Sequence, residues 1–158
     1  MCKKTTNQEK PIRDHLLELL EGRSAHIAIE PALKDFPAVK INENVGGSPH
    51  TAWQLLEHIR IAQWDILDFC RNENYKEMKW PDDYWPKKSG TPDQWHDSLR
   101  QVLSELQEMR DLVADESVDL FAKIPWGSGQ TILREALLIA DHNAYHLGQI
   151  VLIKKMLG

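Results

Sequence analysis

Apolar residues recur at spacings of three and four along most of the chain, with no sustained alternation of apolar and polar positions, so the pattern predicts helices and no strands. From about Lys10 to Glu21, Ile12, Leu16, Leu19 and Leu20 fall on one stripe, which Gly22 interrupts. A short continuation is expected from Glu30, where Pro31 suits a first turn, and 42–47 reads as loop. The second long helix is expected to take Ser48 as its cap and Pro49 in its first turn, and to run to about Arg71. The third has Thr91 as cap, Pro92 at its first position and Gln94 to complete a capping box. Behind that start, Trp95, Leu99, Val102, Leu106, Met109 and Val113 alternate spacings of four and three, the narrow seam of an antiparallel bundle helix. The fourth is expected from near Thr131 to about Leu157.

The predicted architecture is therefore an all-α four-helix bundle, one domain over residues 1–158 with residues 1–9 as a flexible tail. Two connections are long enough to suggest a functional role. The 75–90 loop between the second and third helices carries Trp80, Tyr84 and Trp85, candidates for a pocket wall or a dimer contact. The 116–130 loop between the third and fourth contains Ile124-Pro125-Trp126-Gly127. Trp53, Trp64, Trp95 and Trp126 are expected in the core.

Composition narrows the partners. A formal charge of −5, with basic residues scattered along the chain, gives no electrostatic reason to bind nucleic acid. No apolar run approaches the roughly 20 residues needed to cross a bilayer. Cys2 and Cys70 are too few for a disulfide framework, and the stretch after Met1 lacks the apolar segment of a signal peptide, so a cytoplasmic location is expected. Small molecules and other protein chains remain as partners.

The chemistry-bearing pattern is a set of histidines. A helix advances about 100° per residue, so positions four apart share a face. His142 and His146 stand in that relation, and Leu138, Gln149 and Ile153 place the pair toward the bundle interior. Glu135 lies two turns earlier on the same face. On the second helix His58 shares a stripe with Leu55, Ala62, Ile66 and Phe69, with Asp65 two turns further on. A lone histidine on such a stripe is more often a hydrogen-bonded core residue, and the spaced pair alone is a weak signal. Three inward histidines on two helices that can face each other favour a metal ion. Three neutral imidazoles suit Zn2+, Ni2+ or Fe2+ and leave a coordination position open. Asn143 stands where the zinc-protease motif has its glutamate, and the paired Glu-x-x-His of di-iron bundles is absent. Gln149, Asp65 and Glu135 are candidates to orient the ligand rings or line the pocket. His50, about 80° round a helix from His58, is out of register with it; a first-turn position could still bring it to the rim of the site, but an exposed first-turn residue is the first expectation. His15, His26 and His96 read as surface or packing residues.

The stretch Ser48-Pro49-His50-Thr51-Ala52-Trp53-Gln54-Leu55-Leu56-Glu57-His58-Ile59, the 80–86 loop, Thr131-Ile132-Leu133-Arg134-Glu135, and Asp141-His142-Asn143-Ala144-Tyr145-His146-Leu147-Gly148-Gln149 together resemble the DinB-like family, including its branch related to bacillithiol and mycothiol S-transferases. The resemblance spans nearly the whole chain. It implies a four-helix bundle in which His58, His142 and His146 hold the metal, a homodimer, and transfer of a low-molecular-weight thiol to an electrophile. Two other readings stand beside it. One is hydrolysis by an ion-activated water, for which Glu135 is the best available base, and the other is a non-enzymatic, stress-related metal-binding dimer with a closed site. Metal affinity is expected to fall below about pH 6, where free imidazoles protonate.

Overall fold

The computed structural model of the protein describes residues 9–158. It contains helices α1 (Glu9–Glu21), α2 (Ile29–Leu33), α3 (Ala52–Arg71), α4 (Pro92–Ala114) and α5 (Ile132–Met156), with a 3-10 turn at Ala38–Lys40. Among the described residues there is no strand, only an isolated antiparallel bridge between Lys123 and Thr131. Helices α1 and α3 occupy opposite corners of a bundle, each packing on both α4 and α5, while α2 closes one end. Of the tail expected over residues 1–9, only Glu9 is described, and it opens α1; the remainder lies outside the described residues.

Two hydrophobic clusters fill the bundle. One joins Ile29, Leu33, Trp53, Leu56, Trp95 and Ile150, the other Leu16, Leu67, Met109, Val113, Leu120 and Ile139. Between them, at intermediate positions along α3, α4 and α5, lie the buried polar residues Gln63, Glu105 and Asn143. The Gln63 amide donates to the Val102 carbonyl at 2.8 Å, and Asn143 Nδ2 donates to Gln63 Oε1 at 2.8 Å. Such a layer fixes the relative register of three helices, because slippage would leave desolvated amides without partners.

Helix starts follow capping chemistry. At α4, Thr91 and Gln94 form the predicted capping box. At α3 the start moves. Thr51, not Ser48, is the cap: its hydroxyl accepts from Gln54 N at 3.2 Å, and Gln54 Oε1 accepts from Thr51 N at 2.9 Å. Ser48 instead donates to the His50 carbonyl at 2.7 Å. A reciprocal Thr-x-x-Gln box satisfies two orphan groups at once and outcompetes a lone serine before proline. Helix α1 also departs from its predicted stripe. Ile12 and Leu19 are exposed, whereas Arg13 is only 4% exposed. The Arg13 guanidinium donates to the carbonyls of Val113 at 2.6 Å, Asp115 at 3.0 Å and Val118, where its charge also suits the C-terminal end of α4.

Candidate metal centre

Helices α3 and α5 lie side by side, and the period of each turns histidines into their interface. His58 is 2% exposed and His146 8%, with His142 half-buried beside them. One ligand atom from each of the three rings can be chosen so that all lie within 4.8 Å of one another. His142 Nε2 and His58 Nε2 are 3.0 Å apart. Nitrogens bound tetrahedrally at 2.0–2.1 Å to one ion stand about 3.3 Å apart, so this pair is already near ligand spacing.

The other ring nitrogens are held by acceptors. His58 Nδ1 bonds to the Tyr84 carbonyl at 2.8 Å, and His146 Nδ1 to Gln149 Oε1 at 2.9 Å. Both acceptors lack a hydrogen, so each Nδ1 carries the proton and each neutral ring presents an Nε2 lone pair inward. Burial also favours the neutral form. It pulls the His142 pKa down to about 4, reinforced by His146 and His58. It lowers His58 despite the Tyr84 bond, and lowers His146 despite the Gln149 bond. A donor set of neutral imidazoles, two of them with fixed tautomers, fits a divalent ion such as Zn2+ or Ni2+.

The 75–90 loop folds over this cluster. Trp85 stacks on His58, with ring centroids 4.0 Å apart and planes 2° apart. The loop is anchored at its far end by Trp53 Nε1, which donates to the Lys88 carbonyl at 2.9 Å. Gly90 packs so closely on the Trp53 ring that a Cβ there would overlap the indole carbons. Asp65, buried on α3, accepts from the Tyr84 hydroxyl at 2.6 Å and from the Tyr75 hydroxyl at 3.1 Å. It is bonded to the loop that carries the His58 acceptor, and no hydrogen bond joins it to a histidine ring.

A cavity of about 680 Å³ opens beside the cluster, bordered by His142, Glu135, Asp65, Trp80, Tyr84 and Trp126 among others. Glu135 is 2% exposed and pairs with Arg134 at 2.7 Å; burial raises its carboxyl pKa, partly offset by that cation. Trp80 is 67% exposed, its ring centroid 6.1 Å from that of His58. Two tryptophans expected in the core are not there: Trp64 is exposed on α3, and Trp126 lines the cavity while donating to the Phe69 carbonyl at 2.7 Å. His15, His26 and His96 are exposed. His50 departs from expectation. It precedes α3, is half-buried, and stacks on Trp85 with centroids 4.1 Å apart. The Tyr84 carbonyl and the His50 contact carry no spacing signal in the sequence, because both arise from a loop docking across helices. An aromatic-proline loop opposite an inward histidine is the nearest hint.

Fold and cluster together define an all-helical bundle protein whose three inward histidines can hold a divalent metal ion. The family model of the DinB superfamily matches residues 13–150, and the chain belongs to that superfamily. Comparison with curated proteins and with solved structures gives no match.

Proposed function

We propose that this DinB superfamily protein is a metal-dependent transferase that joins a low-molecular-weight thiol to an electrophile, with Zn2+ or Ni2+, or alternatively Fe2+, on His58, His142 and His146. The observation that carries the reading is an all-imidazole donor set bordering an aromatic cavity, with no cysteine or carboxylate in the set. The set itself supplies no protein nucleophile, which favours one that arrives with a substrate. Cys70 does not serve, since it is buried with its thiol pushed up to about 12.

When bound, a divalent ion supplies acidity, so that a coordinating thiol gives up its proton near neutral pH. The chain's own residues do the rest. Tyr84 and Gln149 hold two rings in the ligating tautomer, Trp85 covers His58 from solvent, and the cavity aromatics hold the electrophile. In the transfer the thiol proton leaves to solvent, a sulfur–carbon bond forms, and the bond from that carbon to its leaving group breaks.

Hydrolysis is the second reading, favoured by Glu135 on the same cavity. Seven residues of helix separate Glu135 from His142, about 10 Å along the axis. A general base needs hydrogen-bond reach, which ranks hydrolysis below thiol transfer. A non-enzymatic metal-binding role ranks third, because it would suit a closed site and His142 borders an open cavity. The reading includes a homodimer through the outer face of α5, in a reducing cytosol.

One panel tests it. Metal-loaded protein is incubated with several cellular thiols plus a reactive electrophile, and separately with ester and amide substrates. Thiol conjugates that disappear in His146→Ala are expected. Turnover without thiol, lost in Glu135→Ala, would replace this reading with hydrolysis, and metal binding with neither activity would leave the non-enzymatic role.

A further inference from the structure

The cavity beside His142 has a lopsided supply of hydrogen-bonding groups. Its walls include five aromatic rings, Phe69, Tyr75, Trp80, Tyr84 and Trp126. Most side-chain donors along it are already engaged within the protein. Both phenol hydrogens go to Asp65, Trp126 Nε1 goes to the Phe69 carbonyl, and Ser128 Oγ lies 3.3 Å from Gln130 Oε1. Arg134, the single arginine or lysine among the described residues of the wall, is paired with Glu135 at 2.7 Å. Against it stand three carboxyl groups, Asp65, Glu77 and Glu135. An anionic substrate would find little to donate to it here. A cationic one would find aromatic faces and the carboxylate of Glu77, while Asp65 and Glu135 are engaged with Tyr75, Tyr84 and Arg134.

The cavity also has direction. Along α3 its wall runs from Ala62 to Phe69, seven residues or about 10 Å of helix. Ala62 is one turn from the ligand histidine on α3, and His142 and Leu138 border the cavity from α5. At the other end Phe69 and Tyr75 meet edge to face, with centroids 5.0 Å apart, and Trp126 bonds to the backbone of Phe69. Glu77 follows Tyr75 by two residues. The His142 end suits the reacting group, and the aromatic end suits a positive charge, since a cation is attracted to aromatic ring faces and most strongly where both are desolvated.

We propose that this cavity selects a substrate bearing an ammonium or related organic cation on an apolar body, the cation seated among Phe69, Tyr75 and Trp126 near Glu77, and the reacting group directed to His142. The assignment of the His142 end rests on the metal-centred reading above; the cation preference does not.

Calorimetric titration of metal-free protein with phenethylammonium, 2-phenylethanol and phenylacetate tests the preference at nearly constant size. Phenethylammonium is expected to bind at least about tenfold more tightly than the alcohol, with phenylacetate weakest. Glu77→Gln and Trp126→Ala, both at exposed positions, are each expected to cut that preference several-fold while leaving helicity unchanged. Equal binding of the alcohol, tighter binding of phenylacetate, or no heat from the ammonium at millimolar concentration overturns the proposal. Zinc uptake by the same preparations is measured by metal analysis. A lost cation preference with uptake intact removes this inference alone, and absent uptake with the preference intact removes the metal-centred reading alone.

Discussion

Trp85 lies parallel to His58, ring planes 2° apart at a centroid separation of 4.0 Å, while the His58 Nδ1 proton is held by the carbonyl of the preceding residue, Tyr84. One loop therefore fixes both the plane and the tautomer of the α3 histidine. Removing the ring in Trp85→Ala frees the imidazole to rotate, and zinc affinity is expected to fall about 10-fold or more, in the range found for groups that orient ligands. Trp85→Phe keeps an aromatic face and should recover most of the loss. Competition against a chromophoric chelator measures both. Unchanged affinity in Trp85→Ala would mean that the carbonyl alone sets the ring.

Asp65 and Gln149 support the centre at different removes, and their variants should differ. Gln149 bonds directly to His146 at 2.9 Å, so Gln149→Ala is expected to weaken zinc binding by about 10–100-fold. Asp65 acts through Tyr84 and Tyr75. In Asp65→Asn the phenols keep a neutral acceptor in place of a charged one, so the expected loss is under about 10-fold, together with faster proteolysis within 75–90. A larger loss in Asp65→Asn than in Gln149→Ala would contradict this ordering.

Acid titrates the centre later than free imidazole. The folded pKa of His142 is pulled down to about 4 from 6.5, and those of His58 and His146 are lowered too. Because the unfolded chain takes up protons that the folded one refuses, stability of the metal-free protein is full above about pH 6.5 and falls as the pH drops toward 4. For His142 the loss approaches about 3 kcal/mol over that range. Buried Asp65, Glu105 and Glu135, with raised pKa values, work in the opposite direction. The comparison is therefore with His142→Gln, which keeps the carboxyls and removes the titrating ring. Urea melts of the metal-free proteins at pH 7 and pH 4.5 should show the steeper loss in the parent protein, and parallel behaviour would refute the shift. For the same reason, the onset of zinc release should lie below the pH 6 expected of free imidazoles.

Much of the site was legible because it is periodic. His58, His142 and His146 face inward by the same helical repeat that places Leu55, Leu147 and Ile150 in the core, so a count along the sequence could find them. Gln149 was legible for the same reason, one turn beyond His146. What escaped depends on contacts between segments far apart in the chain. Arg13 lies on a buried stripe because it meets carbonyls 100 and 102 residues away. His50 reaches the site through Trp85 and not through its own helix register. Trp126 looked like core because tryptophan usually is, yet its indole N–H is held by a backbone carbonyl at the edge of the cavity. Capping chemistry gave the α4 start correctly and the α3 start three residues early, since Ser48 and Thr51 are both competent caps and only Thr51 has Gln54 in place to reciprocate.

Helix α5 is apolar on more faces than a bundle corner requires. Leu137, Tyr145, Leu152 and Met156 are 45%, 65%, 58% and 50% exposed. With Gly148 they follow spacings of three, four and eight, which places them on one outer stripe. Apart from the adjoining backbone of α5, no atom of the described residues lies within 4 Å of the position a Gly148 Cβ would take, so a second helix can approach closely there. A second copy of α5, antiparallel and crossing near Gly148, would set Tyr145 close to Leu152 of its partner and satisfy the self-complementarity of a two-fold interface. The protein is therefore expected to run as a dimer in light scattering at micromolar concentration. Leu152→Lys places two like charges across the two-fold axis and should yield a folded monomer with unchanged helicity and metal content, because residue 152 points away from both the core and the histidines. A monomeric parent protein, or a Leu152→Lys dimer, would assign this stripe to another partner.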